Sequence, residues 1–275
     1  LLLSNTRREV ELPPHVCPAP VVHPPQRTLM FGEWNCQSLR SHEGDIRSVV
    51  VERNIDVLAL VELNCHPEDR GLGDRNYRFY KRGYAHGLYH GVALYMRSSL
   101  ARSLRMRSEP VHPDALWVRI LKGATVDGTS ELSANLSIGA YYLSPSLGEA
   151  AFAAALDELS ALVLQFRAEG DEVIILGDFN AHFERPAMPA EGALGDVSVC
   201  GPYAHAQTDG RGRSMINLLQ RCSMVSLHGW RQEVDERTYH RPAGPVTTVD
   251  YVLVTPRLFG GVTDFVVDQN WEMPS

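Results

Sequence analysis

Short, wholly apolar runs that end abruptly in polar side chains constrain this chain most. "VIIL" (173–176) leads into Asp178 and Asn180 in "VIILGDFNAHFE", and "LALV" (58–61) ends at Glu62. "TLMFGEWNC" is likewise an apolar stretch that ends at Asn35. Runs of four to eight apolar residues bounded by turn formers read as buried strands. Such strands need apolar cover and have no use for a polar tip. The chain also carries helical patterns, in "GDIRSVVVERN", in "GRSMINLLQRCS" and in the alanine-rich "EAAFAAALDELSALVLQFRAEG", where Gly170 is placed to end the helix. Further strands are expected in pairs, "RFYKRG" with "GVALYMRSS" and "ALWVRIL" with "LSIGAYYLSP". A late pair is "RTYHRP" with "TTVDYVLVT", and "VTDFVVDQ" is a last strand. Strands and helices mixed in this number predict an α/β fold, a two-sheet α/β sandwich with helices packed outside.

Length and composition narrow the function classes. The 275 residues suffice for one large domain, and the proline-rich start, residues 1–27, reads as an extended arm or linker. No apolar run reaches the roughly 20 residues of a membrane span, so no membrane partner is expected. The five cysteines, Cys17, Cys36, Cys65, Cys200 and Cys222, are odd in number and contain no CxxC pair, which predicts reduced thiols and an intracellular setting. Net charge is −7, weak evidence against a nucleic-acid binder, but Arg97–Arg107 and Arg211–Arg221 are locally basic.

The polar tips then form a set. Asn35, Glu62 and the pair Asp178 and Asn180 end apolar strands, and Asp250 follows Thr247 and Thr248 in "TTVDYVLVT". Each alone has an ordinary structural reading as a turn former or cap. Together they supply the oxygen donors that Mg²⁺ takes, which is the ion that phosphodiester cleavage needs to neutralise oxyanion charge.

"WNCQSL", "LALVELN", "GAYYLSP", "LGDFNAH" and "TTVDYVLVT" occur in the order and approximate spacing of the endonuclease/exonuclease/phosphatase superfamily, which the chain resembles over residues 28–275. "HGVALYMRSSL" and "DGRGRSMINLLQRCSMVSLHG" are similar to segments of the apurinic/apyrimidinic-endonuclease-like endonuclease domain of non-LTR retrotransposon polyproteins. The resemblance implies a deoxyribonuclease-like four-layer fold. It also implies Mg²⁺, or Mn²⁺ in its place, double-stranded DNA as substrate, a reverse transcriptase in cis and action in the nucleus. Glu62 falls on the direct metal ligand and Asn35 on the residue that holds the neighbouring geometry. Asp178 falls on the residue that positions or deprotonates water, Asn180 on its phosphate-contacting partner, and Asp250 on an aspartate that orients the catalytic histidine. The phosphate-contacting tyrosine is Tyr142 or Tyr141. Thr238 matches a threonine near the substrate phosphate, and Thr247 replaces the serine of an S-x-I-D-Y motif.

The family closes this domain with Ser-Asp-His. Ser275 matches the serine, so an Asp-His pair is expected to follow it in the full polypeptide; the alternative is a crippled enzyme, for which His182 is the nearest substitute. The same chemistry also serves phosphatases acting on small phosphoesters, and a non-cleaving DNA-binding module is a third possibility.

Overall fold

The computed structural model describes residues 28–66, 71–82, 90–107, 112–126, 130–183, 199–201, 208–230, 238 and 248–267. The proline-rich arm, Thr247, Ser275 and most of "RTYHRP" lie outside them.

Two mixed sheets face each other. β1 (Phe31–Asn35), β2 (Val57–Val61), β3 (Tyr77–Arg82) and β4 (Val92–Arg97) make the first, in the order β1-β2-β4-β3. The second holds β5 (Leu104–Met106), β6 (Ala115–Ile120), β9 (Leu136–Tyr142), β10 (Glu172–Asp178), β11 (Val225–Ser226) and β12 (Asp250–Val254), in the order β11-β12-β10-β9-β6-β5. A short ribbon, β7 (Thr125–Val126) with β8 (Ser130–Glu131), stands apart. The central strands β2 and β9 are buried at every position, because each sheet is covered on both faces.

Three apolar clusters fill the gaps between four layers. α1 (Glu43–Glu52) covers the first sheet, where Ile46 and Val50 pack with Leu58, Leu60 and Tyr95. Val57, Ala59, Leu94, Ile138, Ala140 and Leu176 meet between the sheets. α3 (Glu149–Ala168) and α4 (Gly210–Cys222) cover the second sheet: Phe152, Leu156, Leu159, Val163 and Phe166 recur at helical spacing and pack on Trp117, Tyr141 and Ile175. Gly170 follows the α3 cap at φ +83°, the left-handed turn expected of it. Two one-turn helices, α2 (Ser98–Ala101) and α5 (Pro256–Phe259), complete the described elements, none of which is a helix long and apolar enough to cross a membrane.

One expectation needs correction. Residues 262–267 of "VTDFVVDQ" form no strand; Val262 and Val266 are exposed, and among the described residues no neighbouring strand offers them a ladder. β12 pairs with β10 and β11, and "RTYHRP", its expected partner, lies outside the described residues except for Thr238.

Candidate active site

The polar tips meet at one end of the sandwich, and the strand register explains how. β10 runs parallel to β9 and antiparallel to β12, so Tyr142, Asp178 and Asp250 lie side by side on three adjacent strands. Opposite like charges on paired strands are destabilising. The Asp178–Asp250 pair is therefore a cost that packing alone would not retain. Gly177 permits the close approach, since a Cβ there would lie 2.0 Å from the Tyr141 carbonyl oxygen.

The first sheet supplies the facing wall. β1 and β2 are parallel with Asn35 beside Val61, which brings Asn35 and Glu62 to the same end. Asn35 Nδ2 donates to Asp178 Oδ2 across the gap at 3.1 Å. Across the same gap burial, and then the Glu62 carboxylate, raise the Tyr142 hydroxyl well above its usual range. Among the described residues, six non-glycines have positive φ, and four of them (Gln37, Glu62, Asn64 and Asn180) sit in the loops that rim this site. Left-handed backbone at non-glycine residues concentrates where surrounding structure fixes side chains for function.

Electrostatics separates these acids from the structural ones. Asp171 is buried and takes hydrogen bonds from Ser137 Oγ at 2.7 Å and Arg107 Nη2 at 2.9 Å, with Arg119 and Asn135 also bound. Asp56 is buried against Arg97 Nε at 2.6 Å. By contrast, no Lys or Arg forms an ion pair with Glu33, Asp178 or Asp250 among the described residues. Asp178 is 3% exposed and Asp250 9%. Burial, then the neighbouring Asp250, pushes Asp178 up to about 8, against the lowering pull of the Asn180 N–H and the Asn35 amide. Burial likewise pushes Asp250 up to about 6, opposed by the Thr238 hydroxyl. Asp250 Oδ1 is buried and has no hydrogen-bond partner among the described residues.

The matching family model is "Endonuclease/Exonuclease/phosphatase family", over residues 32–270. The chain belongs to the endonuclease/exonuclease/phosphatase family. Solved structures agree in fold: the endonuclease domain of TRAS1, a telomere-specific non-LTR retrotransposon, superposes with TM-score 0.56 at 12% identity, covering 83% of this chain and 85% of that one. The AP endonuclease LMAP from Leishmania major gives 0.59 at 17%, covering 84% and 80%, and the Xenopus laevis APE2 catalytic domain 0.57 at 16%, covering 83% and 82%. No curated protein matches the sequence significantly.

For a family member, the predicted residues sort clearly. Asn35, Glu62, Tyr142, Asp178 and Asp250 converge. Asn180 adjoins them, its N–H on Asp178 Oδ1 at 2.9 Å and its Nδ2 on the Leu143 carbonyl at 3.1 Å. Of the two tyrosines, Tyr142 lies on the site's face and Tyr141 on the opposite face of the sheet, where Trp117 Nε1 donates to its hydroxyl at 3.2 Å. Thr238 supports Asp250, its Oγ1 accepting the Val249 and Asp250 N–H groups at 3.2 Å. His182 is engaged with the Thr248 carbonyl, Nδ1 at 3.3 Å, and so is held as a loop residue. Thr247 and Ser275 lie outside the described residues.

The basic runs need revising. Arg97 and Arg107 serve Asp56, Glu169 and Asp171, and Arg221 pairs with Asp157. Arg211 binds the carbonyls of Ser144, Pro145, Leu147 and Asn180, tying α4 to two site loops. These guanidiniums are parts of the scaffold.

Sequence reading missed Glu33. It lies two residues before Asn35 on β1, so both leave by the same face, and its carboxyl is held well above the usual range by burial, Asp250 and Asp178. Its Oε1 is buried without a partner among the described residues. The signal was present as a glutamate at period two from Asn35 inside an apolar strand.

The donor set fits a divalent cation. Orphaned oxygens on Glu33 and Asp250, beside Glu62 and Asp178, leave negative charge that the chain itself does not neutralise. Among the described residues no three His, Cys, Asp or Glu side chains converge tightly enough to hold an ion alone. A hard divalent cation that keeps several waters needs only one or two carboxylates from the protein.

Proposed function

We propose that this domain is a Mg²⁺-dependent DNA endonuclease of a non-LTR retrotransposon, nicking double-stranded target DNA to leave a 3′-OH that primes reverse transcription. The reading places it in the nucleus, in one polypeptide with a reverse transcriptase. The observation that carries the hydrolytic part is the row Tyr142–Asp178–Asp250, three strands wide, facing Glu62 and Asn35 with no Lys or Arg paired to its acids among the described residues. The retrotransposon part is supported by the motif resemblance and by the fold shared with the TRAS1 domain.

Each residue then has a task. Glu62 and Asn35 would hold the cation, which when bound neutralises charge developing on the phosphate oxygens. Asp178 orients water and accepts its proton, with its carboxylate held by the Asn35 amide and the Asn180 N–H. Tyr142 keeps its proton, because burial and Glu62 raise it far above neutrality, so it serves as a hydrogen-bond donor to phosphate. Asp250, seated on Thr238, would orient a histidine that acts on the leaving group.

A supercoiled-plasmid nicking assay with Mg²⁺ tests the reading, with the chain as it stands and with Asp-His appended after Ser275. Nicked circles whose ends are extended by a polymerase support it. Absence of nicking in both forms, with release of phosphate from small phosphoesters, would replace it with the phosphatase alternative.

A further inference from the structure

Pairing is the rule for the arginines of this acidic chain. Arg47, Arg97, Arg107, Arg119, Arg221 and Arg257 face carboxylates. Arg167 and Arg211 are bound to backbone carbonyls. Arg75, Arg78 and Arg102 depart from the rule. Among the described residues none forms an ion pair, yet all three line one cavity of about 290 Å³ with Tyr80, Ser98 and Ala101, and no described carboxylate lines it.

The fold builds this cavity. Arg78 and Tyr80 are two apart on β3, so they leave by the same face. The Ser98 N–H donates to the Asn76 carbonyl at 2.7 Å and its hydroxyl to the Arg75 carbonyl at 3.2 Å, which fastens α2, and with it Arg102, against the entry to β3. Arginine stays charged at any physiological pH, so three guanidiniums gathered without an acid repel one another until an anion joins them.

Its position separates it from the active site. β4 is antiparallel to β2: Leu63 at the catalytic end bonds Gly91, whereas Asp56 at the other end bonds Arg97. Asp56 to Glu62 spans about 20 Å at roughly 3.3 Å per residue. A duplex lying on the catalytic end would have to bend sharply to reach the opposite end, at a deformation cost that a flexible single strand does not meet.

We propose that the Arg75–Arg78–Arg102 cavity is a second nucleic-acid site, which holds a flexible single strand away from the catalytic end. Guanidiniums take successive backbone phosphates, and Tyr80 offers the aromatic surface on which sequence-tolerant strand binders stack bases. The choice of nucleic acid over a free anion rests on the endonuclease reading.

The test is fluorescence anisotropy of a labelled 15-nucleotide single strand, as oligo-dT and as oligo-U, across a salt series. Parent chain is compared with R75Q/R78Q/R102Q; these side chains are exposed and mutually repelling, so the melting temperature should be unchanged or raised. For three phosphates the parent's log affinity should fall about 2 units more steeply per tenfold salt than the variant's, given ~0.7 per phosphate. The variant should bind at least about tenfold more weakly near 0.1 M salt, with plasmid nicking unaltered. Equal strand affinity and salt slope would overturn the proposal. So would a shift confined to inorganic phosphate, read as melting stabilisation of the parent only, which marks a small-anion site. A matching rise in KM for duplex nicking would overturn it too, by placing the cavity on the duplex path. Absence of nicking with strand binding intact would remove the endonuclease reading and leave this site standing.

Discussion

A buried aspartate is informative only when its partners are known. Asp171 and Asp178 are equally deep, but the first is ringed by Arg107, Arg119, Ser137 and Asn135, and the second faces Asp250, Glu33 and Glu62. Asp178→Asn should reduce nicking by about 10²–10⁴-fold, the usual effect of losing a general base. It should leave cation-free melting unchanged or raised, because a repelled charge is removed. The pH dependence follows from the sign of the shift. A carboxyl raised from 3.8 to about 8 contributes stability that is complete below about pH 4 and lost as pH rises through 8. His228 opposes this lower down: burial depresses it from 6.5 to about 3, so its contribution is complete above 6.5 and lost as pH falls. Above about pH 6.5 the His228 contribution is complete, so between pH 6.5 and 8 the decline belongs to Asp178 together with Glu33, which is raised by burial, Asp250 and Asp178. With chelator present, the parent's melting temperature should decline across this interval, and the Asp178→Asn variant's should decline less. Parallel slopes would show that Asp178 is not the group concerned.

At the scale of elements, the same strand register that assembles the site makes it intolerant. β9 and β10 approach so closely at Gly177 that any Cβ meets the Tyr141 carbonyl, a backbone atom that cannot rotate away. Gly177→Ala should destabilise by about 1–3 kcal/mol, the range for overpacking, read from the denaturant midpoint. An unchanged midpoint would mean that β9 moves freely. Apolar runs such as "VLALV" and "LSIGAYY" were legible as strands because both faces are covered. Asn35, Glu62, Asp178 and Asp250 were legible because strand ends are the places where polar side chains interrupt those runs. Tyr141 and Tyr142 could not be separated, since adjacent strand residues differ only in which face is which, and that is set by the packing of α3. "VTDFVVDQ" misled because alternation alone cannot guarantee a partner strand. The role of Arg211 was hidden for a similar reason: its acceptors are backbone carbonyls, which carry no sequence signature.

In the molecule as a whole, each sheet holds half of the site. Glu33, Asn35 and Glu62 belong to the first, Tyr142, Asp178 and Asp250 to the second, and the Asn35–Asp178 hydrogen bond joins the two halves. A divalent cation held from both sides would bind the folded state and not the unfolded chain, so it should stabilise the whole domain by mass action. At a hundredfold excess over Kd that is about 2.7 kcal/mol. Removing the charge of Glu62 tests the arrangement without emptying the core, because Glu62 sits past the end of β2, partly exposed, in a left-handed turn. Glu62→Gln should melt near the parent in chelator, since its length and polarity are kept. In a Mg²⁺ titration the parent's melting temperature should climb and the variant's should climb much less, with calorimetry giving a correspondingly weaker Kd. Should Glu62→Gln gain as much as the parent from Mg²⁺, the cation is held by the acids of the second sheet and Glu62 is not its ligand.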